Sequence, residues 1–204
     1  MNIIVCQNDL PDNAKILNYA SIDTEATGLS FTRDRLCLIQ IKSEDNIVYL
    51  VQVQKNPLPA PNLFKLLQDQ KIAKLFHYAR FDVGILFNTY KVMCNNIYCT
   101  KIASKLTRTY SDRHGLKEIC RQMLGIELNK GQQASDWGAA KLSDAQQNYA
   151  AMDVVHLWDL KIAFDTLLER EGRMELFRAC CDFLPTRVKL DIAGWIEDDI
   201  FAHH

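Results

Sequence analysis

Two carboxylates at the end of an apolar segment constrain this chain more than any other feature. Residues 16 to 22 are mostly apolar and predict a buried strand, and Asp23 and Glu25 follow directly. Two strand residues separated by one position point to the same face, roughly 7 Å apart. An unpaired buried charge is costly, and a hard divalent metal ion is the natural partner of clustered oxygen ligands. The pair therefore predicts part of a metal site whose other ligands come from elsewhere in the chain.

The composition is that of an ordinary globular protein. The 204 residues are 48% hydrophobic and 24% charged, which is enough for one domain with a core. The sequence contains no run long and apolar enough to span a membrane, and its first residues lack the features of a secretory signal. The seven cysteines form no CxxC pair, so we expect reduced thiols in a cytoplasmic protein.

Short β-rich segments are concentrated in the first half of the chain. Residues 36 to 42 and 47 to 51 flank a polar turn and predict a hairpin, and 72 to 76 predict another buried strand. Residues 97 to 100 predict a short further strand.

Helical segments alternate with these strands and then dominate. Pro61 is suited to begin a helix, and residues 79 to 90 predict a second one. Ser143 and Gln146 predict a capping box that opens one long helix from residue 144 to about 171. A last helix from 173 to 184 is expected to stop at Pro185. The order of elements predicts one α/β domain with a mixed sheet.

Two further acidic positions have the spacing of a functional site. Asp82 lies on the first turn of the helix that follows the strand at 72 to 76, where it either faces a site at the end of that strand or only stabilises the helix dipole. Tyr149 and Asp153 are four residues apart in the long helix, so they share a face about 6 Å apart.

Taken together, these motifs resemble those of the DEDD 3′–5′ exonucleases of the ribonuclease H-like superfamily. The subgroup with a tyrosine in its third motif is the best match, and within it the chain is most similar to ribonuclease D. Asp-x-Glu, an Asp after HYARF and Tyr-x-x-x-Asp occur in the family's order between about residues 19 and 160, and ASDW precedes the third motif. The resemblance implies a ribonuclease H-like mixed β-sheet flanked by helices.

The resemblance also implies the chemistry. Four carboxylates would hold two divalent metal ions, Mg²⁺ or Mn²⁺: Asp23, Glu25, Asp82 and Asp153. Tyr149 would position the attacking water. Without cations, carboxylates within about 5 Å would repel one another by roughly 3 kcal/mol per pair. A pair of metal ions about 4 Å apart suits in-line hydrolysis of a phosphodiester.

The same resemblance implies which residues contact the substrate. The backbone and apolar side chain of Thr27, Gly28 and Leu29 would pack against the terminal nucleotide. His77 is either a contact to the 3′-terminal ribose or phosphate or a core histidine. Phe81 either wedges between bases or fills the core. Lys130 and Gln133 would line the substrate groove.

Basic residues are concentrated between Lys101 and Arg121. Lys101, Lys105 and Arg108 fall on one helix face, which is either a solvated face or a stripe that tracks phosphates. On the second interpretation, Lys105 and Arg108 bind substrate.

These observations predict a 3′–5′ exoribonuclease that removes nucleotides from the 3′ end of single-stranded RNA. The chain ends about 50 residues after Asp153, so we expect residues 1–204 to be one exonuclease domain without a C-terminal helical nucleic-acid-binding domain. Two alternatives stay open: an exonuclease of single-stranded DNA, and a non-catalytic nucleic-acid-binding module on the same fold.

Overall fold

The computed structural model describes residues 1–128, 131 and 135–203. Within this part of the chain, a six-stranded mixed sheet forms the centre of the fold. Its strands in chain order are β1 (Asn2–Gln7), β2 (Tyr19–Ala26), β3 (Leu36–Lys42), β4 (Ile47–Gln52), β5 (Ala73–Phe76) and β6 (Ile97–Cys99). The helices are α1 (Pro61–Gln68), α2 (Ala79–Tyr90), α3 (Thr100–Thr107), α4 (Leu116–Leu124), α5 (Asp144–Val155), α6 (Leu157–Arg170) and α7 (Met174–Ile192).

The sheet has the strand order β1-β4-β3-β2-β5-β6. Strand β3 runs antiparallel to both β2 and β4, which confirms the predicted hairpin. The pairs β1–β4, β2–β5 and β5–β6 are parallel. The mixed sheet flanked by helices confirms the predicted ribonuclease H-like fold class. Strand β1, at the edge of the sheet, was not predicted.

Two apolar clusters cover the two faces of the sheet. Leu38 and Leu50 pack with Ala150 and Val154, so α5 covers the face to which alternate residues of β3 and β4 point. Ile22 and Ile39 belong to the larger cluster on the opposite face. Because Leu38 pairs with Glu25 and Gln40 with Asp23, these carboxylates share the face covered by α5.

Two helix boundaries differ from the predictions. The long helix expected from residue 144 to about 171 is divided at His156, whose backbone (φ −103°, ψ 3°) separates α5 from α6. The last helix does not stop at Pro185 but continues to Ile192. Proline removes one backbone donor. Burial of Val188 and ion pairs of Asp191 with Arg80 and Arg187 hold the second half of α7 in place.

All seven cysteines are free thiols, as expected. Along the described chain, no helix combines the length and the apolar character needed to cross a membrane.

Candidate metal centre and substrate pocket

Three carboxylates meet where the C-terminal half of β2 lies beneath α5. Asp23 and Glu25 extend from β2 and Asp153 from α5, and one oxygen of each lies within 4.8 Å of the others. Side-chain alternation places the first two on one face, and the Ser143–Gln146 capping box begins α5, as predicted. All three side chains are partly buried. The structure thus brings together three of the four predicted metal ligands.

The surroundings of these carboxylates disfavour their charged forms. Burial, followed by the charges of Asp82, Asp153 and Glu25, raises the pKa of Asp23 well above its usual range. Burial and the neighbouring charges raise the pKa of Glu25 to about 8, and burial raises that of Asp153 to about 7. A cluster of hard oxygen donors with excess negative charge fits a divalent cation, which would stabilise the ionised carboxylates.

Asp82 occupies the first turn of α2, as predicted, but its carboxylate is not among the three clustered ones. It is buried, and its Oδ1 accepts a hydrogen bond from the Thr24 hydroxyl at 2.6 Å. Burial raises the pKa of Asp82 to about 7, although the bond from Thr24 lowers it. Thr24, which points to the opposite face from Asp23 and Glu25, was not singled out from the sequence. Asp82 still lies close enough for its charge to act on Asp23.

Tyr149 lies on α5 beside Asp153, one helical turn earlier. Burial and the charges of Asp153, Glu25 and Asp23 raise the pKa of the Tyr149 phenol above its ordinary value. Its hydroxyl is therefore protonated at neutral pH and suited to donating a hydrogen bond. The ring centroid lies 6.1 Å from that of the buried Trp137, which supports the tyrosine ring from behind.

Gln40 is a second residue that the sequence analysis missed. It pairs with Asp23 across β2 and β3, and its side-chain Nε2 donates to Asp23 Oδ2 at 3.3 Å. Its position inside an apolar strand (LCLIQIK) is the one sequence signal that could have identified it.

A pocket of about 640 Å³ opens beside the carboxylates. Its lining is acidic around Asp23, Glu25 and Asp153. A second wall carries Lys101, Lys117 and Arg121, and Arg121 forms an ion pair with Glu118 of the same wall at 2.6 Å. The pocket therefore has room for a ligand with several phosphates between the carboxylate cluster and a wall with two lysines that form no ion pair among the described residues.

His77 lines this pocket, as the functional interpretation expected, and it is also fixed from behind. Its Nδ1 lies 2.9 Å from the Thr100 hydroxyl, which in turn donates to the Phe76 carbonyl at 3.1 Å. Burial and then the charge of Lys101 lower the pKa of His77 to about 3. His77 is therefore a neutral, oriented imidazole and not a cation for phosphate.

Tyr78, next to His77, also lines the pocket. Its backbone is left-handed (φ 75°), and its ring lies 4.1 Å from Lys101 Nζ in a cation–π contact. This contact holds Lys101 on the pocket wall.

Several predicted substrate contacts lie elsewhere among the described residues. The Thr27 hydroxyl accepts a bond from the Arg35 amide, and a Cβ at Gly28 would collide with the carboxylate of Asp34. Gly28 thus has a local structural role. Leu29 is 93% exposed and does not line the pocket. Phe81 packs edge-on against Phe31, with ring centroids 6.2 Å apart, which favours the core interpretation.

Lys130 and Gln133 lie outside the described residues.

The prediction that Arg108 belongs to an exposed basic stripe is wrong. Helix α3 ends at Thr107, and the Arg108 side chain turns inward until only 1% of it is exposed. Its Nη1 donates to Ser104 Oγ at 3.0 Å and to the Arg113 carbonyl at 2.8 Å, and Nη2 contacts the Gln122 amide oxygen. Lys105 is exposed, one turn after Lys101.

The fold and site define a class of nucleases, and the chain belongs to the 3′–5′ exonuclease family, whose model matches residues 5–169. Members of this family depend on metal ions. This match confirms the resemblance drawn from the three motifs.

Two relatives are similar to this chain over most of its length. Ribonuclease D of Gluconacetobacter diazotrophicus is 33% identical over 162 residues, which are 77% of this chain and 39% of that protein. DNA polymerase I of Aquifex aeolicus is 38% identical over 142 residues, or 70% of this chain and 23% of that protein. This chain thus spans about two fifths or less of the length of these two relatives.

A solved structure matches over the full length of both chains. NrnC of Brucella melitensis with bound Mg²⁺ is 48% identical, and its TM-score is 0.94 with 100% of each chain covered. The same protein has been solved bound to pGG, at 50% identity and a TM-score of 0.94.

Proposed function

We propose that this chain is a metal-dependent 3′–5′ exoribonuclease that hydrolyses the terminal phosphodiester of single-stranded RNA. One observation carries the proposal: oxygens of Asp23, Glu25 and Asp153 lie within 4.8 Å of one another beside Tyr149, at one end of a pocket with a basic wall. Residues 1–204 would act as one exonuclease domain, in RNA processing or turnover. Free thiols throughout fit a reducing compartment such as the cytoplasm.

Asp23, Glu25 and Asp153, with Asp82 from α2, are the residues that would hold two divalent ions, Mg²⁺ or Mn²⁺. When bound, such ions lower the pKa of water and stabilise the charge of a leaving oxygen. Asp82 is within electrostatic reach of Asp23 but bonded to Thr24. Asp82 would supply the fourth carboxylate of this set, and the Thr24 hydroxyl would orient it through the bond to Oδ1.

The chain's own groups orient the reaction. Tyr149 keeps its proton at neutral pH, so its hydroxyl would direct a water or a phosphate oxygen by hydrogen bonding and not act as a base. Neutral His77 donates from Nδ1 to Thr100, so its other ring nitrogen is an acceptor and would bind a ribose hydroxyl. The basic wall would neutralise phosphates of the substrate.

The size of the pocket and the pGG bound to the Brucella relative support a short single-stranded substrate with a free 3′ end. We propose that pGG also binds here. In that pose, its linking phosphate would face the carboxylates and its second phosphate the basic wall.

The central test uses a 5′-labelled single-stranded RNA and labelled pGG, with Mg²⁺ or Mn²⁺, in the presence and absence of chelator. The purified 204-residue chain should give a ladder of products shortened from the 3′ end, and chelator should abolish it. Asp82→Asn should lower the rate by about 100-fold or more, because removal of one electrostatic group at the reacting centre commonly costs that much.

The exposed Asp112 provides a matched control, since it is not among the residues that line the pocket and Asp112→Asn also converts one carboxylate to an amide. Its rate should equal that of the unmodified chain. A 3′-phosphorylated RNA should resist shortening if the free 3′ hydroxyl is required. Absence of any metal-dependent shortening would reject the proposal, and metal binding without hydrolysis would favour the non-catalytic module.

A DNA substrate is the second candidate, because the chain also matches DNA polymerase I of Aquifex aeolicus. Single-turnover rates on RNA and DNA of one sequence separate the two. We expect RNA to be the faster substrate, and a faster reaction on DNA would reverse the assignment.

A further inference from the structure

Gln40 is an amide in the interior of an apolar strand. It lies in the middle of β3, its exposed fraction is 0%, and its neighbours Leu38, Ile39 and Ile41 are equally buried. Burying an amide is unfavourable unless its donors and acceptor find partners. Gln40 Nε2 donates to Asp23 Oδ2, whereas its Oε1 is buried without a hydrogen-bond partner in the described part of the chain.

Packing of the sheet does not account for an amide at this position. An apolar side chain of the same shape would fill the space beneath α5 without an unsatisfied acceptor, and such replacements are commonly neutral or stabilising. What an apolar side chain would lack is the hydrogen bond to Asp23. That bond restrains rotation of a carboxylate whose neighbours, Glu25 and Asp153, each place an oxygen within 4.8 Å of it.

We infer that Gln40 is a positioning residue of the metal centre: its amide fixes the Asp23 carboxylate in the orientation that completes the cluster with Glu25 and Asp153. Hydrogen bonds from outside a metal site orient its ligands in this way, and losing one commonly costs about 10- to 100-fold in metal affinity. The inference rests on the proposed function, because it takes Asp23 to be a metal ligand.

The variant Gln40→Met keeps the size of the side chain and removes the amide. Two quantities are measured: the affinity for Mn²⁺ by titration calorimetry, and the free energy of unfolding in urea with chelator. We expect Mn²⁺ affinity to fall about 10- to 100-fold while the metal-free protein is as stable as the unmodified one or more so. Exonuclease activity of Gln40→Met should recover as the Mn²⁺ concentration is raised.

Gln52 is the matched control in the neighbouring strand. It is also a buried glutamine, but its side chain bonds to Gln7 and to the Ala139 carbonyl and not to a carboxylate. Gln52→Met should lose stability in chelator and keep its affinity for Mn²⁺. If Gln40 had a purely structural role, Gln40→Met would behave like Gln52→Met: it would lose stability and keep its affinity for Mn²⁺.

Gln40→Asn is the second test and decides the case if Gln40→Met does not fold. It keeps the amide but shortens its reach by one methylene, so it should also bind Mn²⁺ more weakly. Unchanged affinity in the folded variants would overturn the inference and leave the proposed function intact. Absence of Mn²⁺ binding by the unmodified chain would overturn both.

Discussion

The variant Tyr149→Phe tests whether the tyrosine hydroxyl orients a reactant at the site. Removing it in Tyr149→Phe keeps the ring against Trp137 and every carboxylate of the cluster. We expect turnover to fall about 100-fold, because one oriented hydrogen bond is lost at the reacting centre, while Mn²⁺ affinity stays the same. Rates at saturating substrate and calorimetric titration of Mn²⁺ measure the two effects.

A loss of metal affinity in this variant would contradict the role assigned to Tyr149. If Tyr149→Phe lost Mn²⁺ binding, the tyrosine would be part of the metal centre and the assigned role would be wrong. Trp137→Phe serves as a control for the packing behind the ring, and it should change stability more than it changes turnover at saturating Mn²⁺.

At the level of residues, the sequence identifies the proposed metal ligands better than the side chains that hold them in place. Asp23 and Glu25 are identifiable because carboxylates are costly in apolar surroundings without a cation. Asp153 is identifiable only through its match, with Tyr149, to the third motif of the family.

Thr24 has no such signal, because a threonine in a strand is ordinary. Gln40 has only its position inside an apolar strand, which does not say what its amide binds. Their partners, Asp82 and Asp23, become visible only when strand pairing and helix placement are known.

At the scale of elements, the end of helix α3 at Thr107 places Lys105 and Arg108 in different surroundings, although the sequence predicted one basic face for both. Lys105 is exposed, and Arg108 is buried. Arg108→Met should lower the free energy of unfolding by about 2 to 4 kcal/mol, because Ser104, Gln122 and the Arg113 carbonyl lose a buried donor. Urea unfolding in chelator measures this loss.

Lys105 on the exposed face of α3 is the matched comparison. Lys105→Glu should leave stability within about 0.5 kcal/mol and should weaken RNA binding, with a shallower dependence on salt concentration. Binding of a labelled RNA across a salt series measures that slope. An unchanged slope would mean that this face is only solvated, and a stable Arg108→Met variant would contradict the buried network.

Element types were more predictable from the sequence than element boundaries. Periodicity and capping predicted the β3–β4 hairpin, α2 and the start of α5. The break at His156 and the passage of α7 through Pro185 were not predictable, because tertiary contacts decide them. Arg80 from α2 binds Asp191 of α7, and no local pattern predicts an ion pair between residues 111 positions apart. The second partner of Asp191, Arg187, lies one helical turn away in α7 itself.

At the scale of the whole molecule, the carboxylate cluster links folding to pH. Without metal, Glu25 has a pKa of about 8 and Asp82 and Asp153 have pKa values of about 7. In the unfolded chain these groups titrate near 4. Between about pH 6.5 and 8.5 the folded chain therefore holds protons that the unfolded chain has already lost. Since stability falls with pH wherever the folded state binds more protons, the free energy of unfolding should decrease across this window.

His77 and His114 oppose this decline at the lower end of the window, because burial lowers the pKa of both, that of His77 to about 3. Their contribution is complete about one pH unit above the unfolded imidazole's pKa of about 6.5. From about pH 7.5, buried thiols such as Cys94, whose pKa is raised by burial, add to the decline as unfolded thiols lose their protons. The response to metal and to Glu25→Gln therefore isolates the share of the carboxylates.

Urea unfolding in chelator at several pH values within this window tests the linkage. Each carboxyl group that holds its proton only in the folded state contributes up to about 1.4 kcal/mol per pH unit. Saturating Mg²⁺ or Mn²⁺ should flatten or reverse the decline, because a bound cation keeps the folded carboxylates ionised and stabilises the folded state by mass action. Glu25→Gln should flatten it without metal, since it removes a titrating group from the cluster. A metal-free protein whose stability is constant across the window would mean that these carboxylates do not share the crowded, desolvated site on which the metal centre depends.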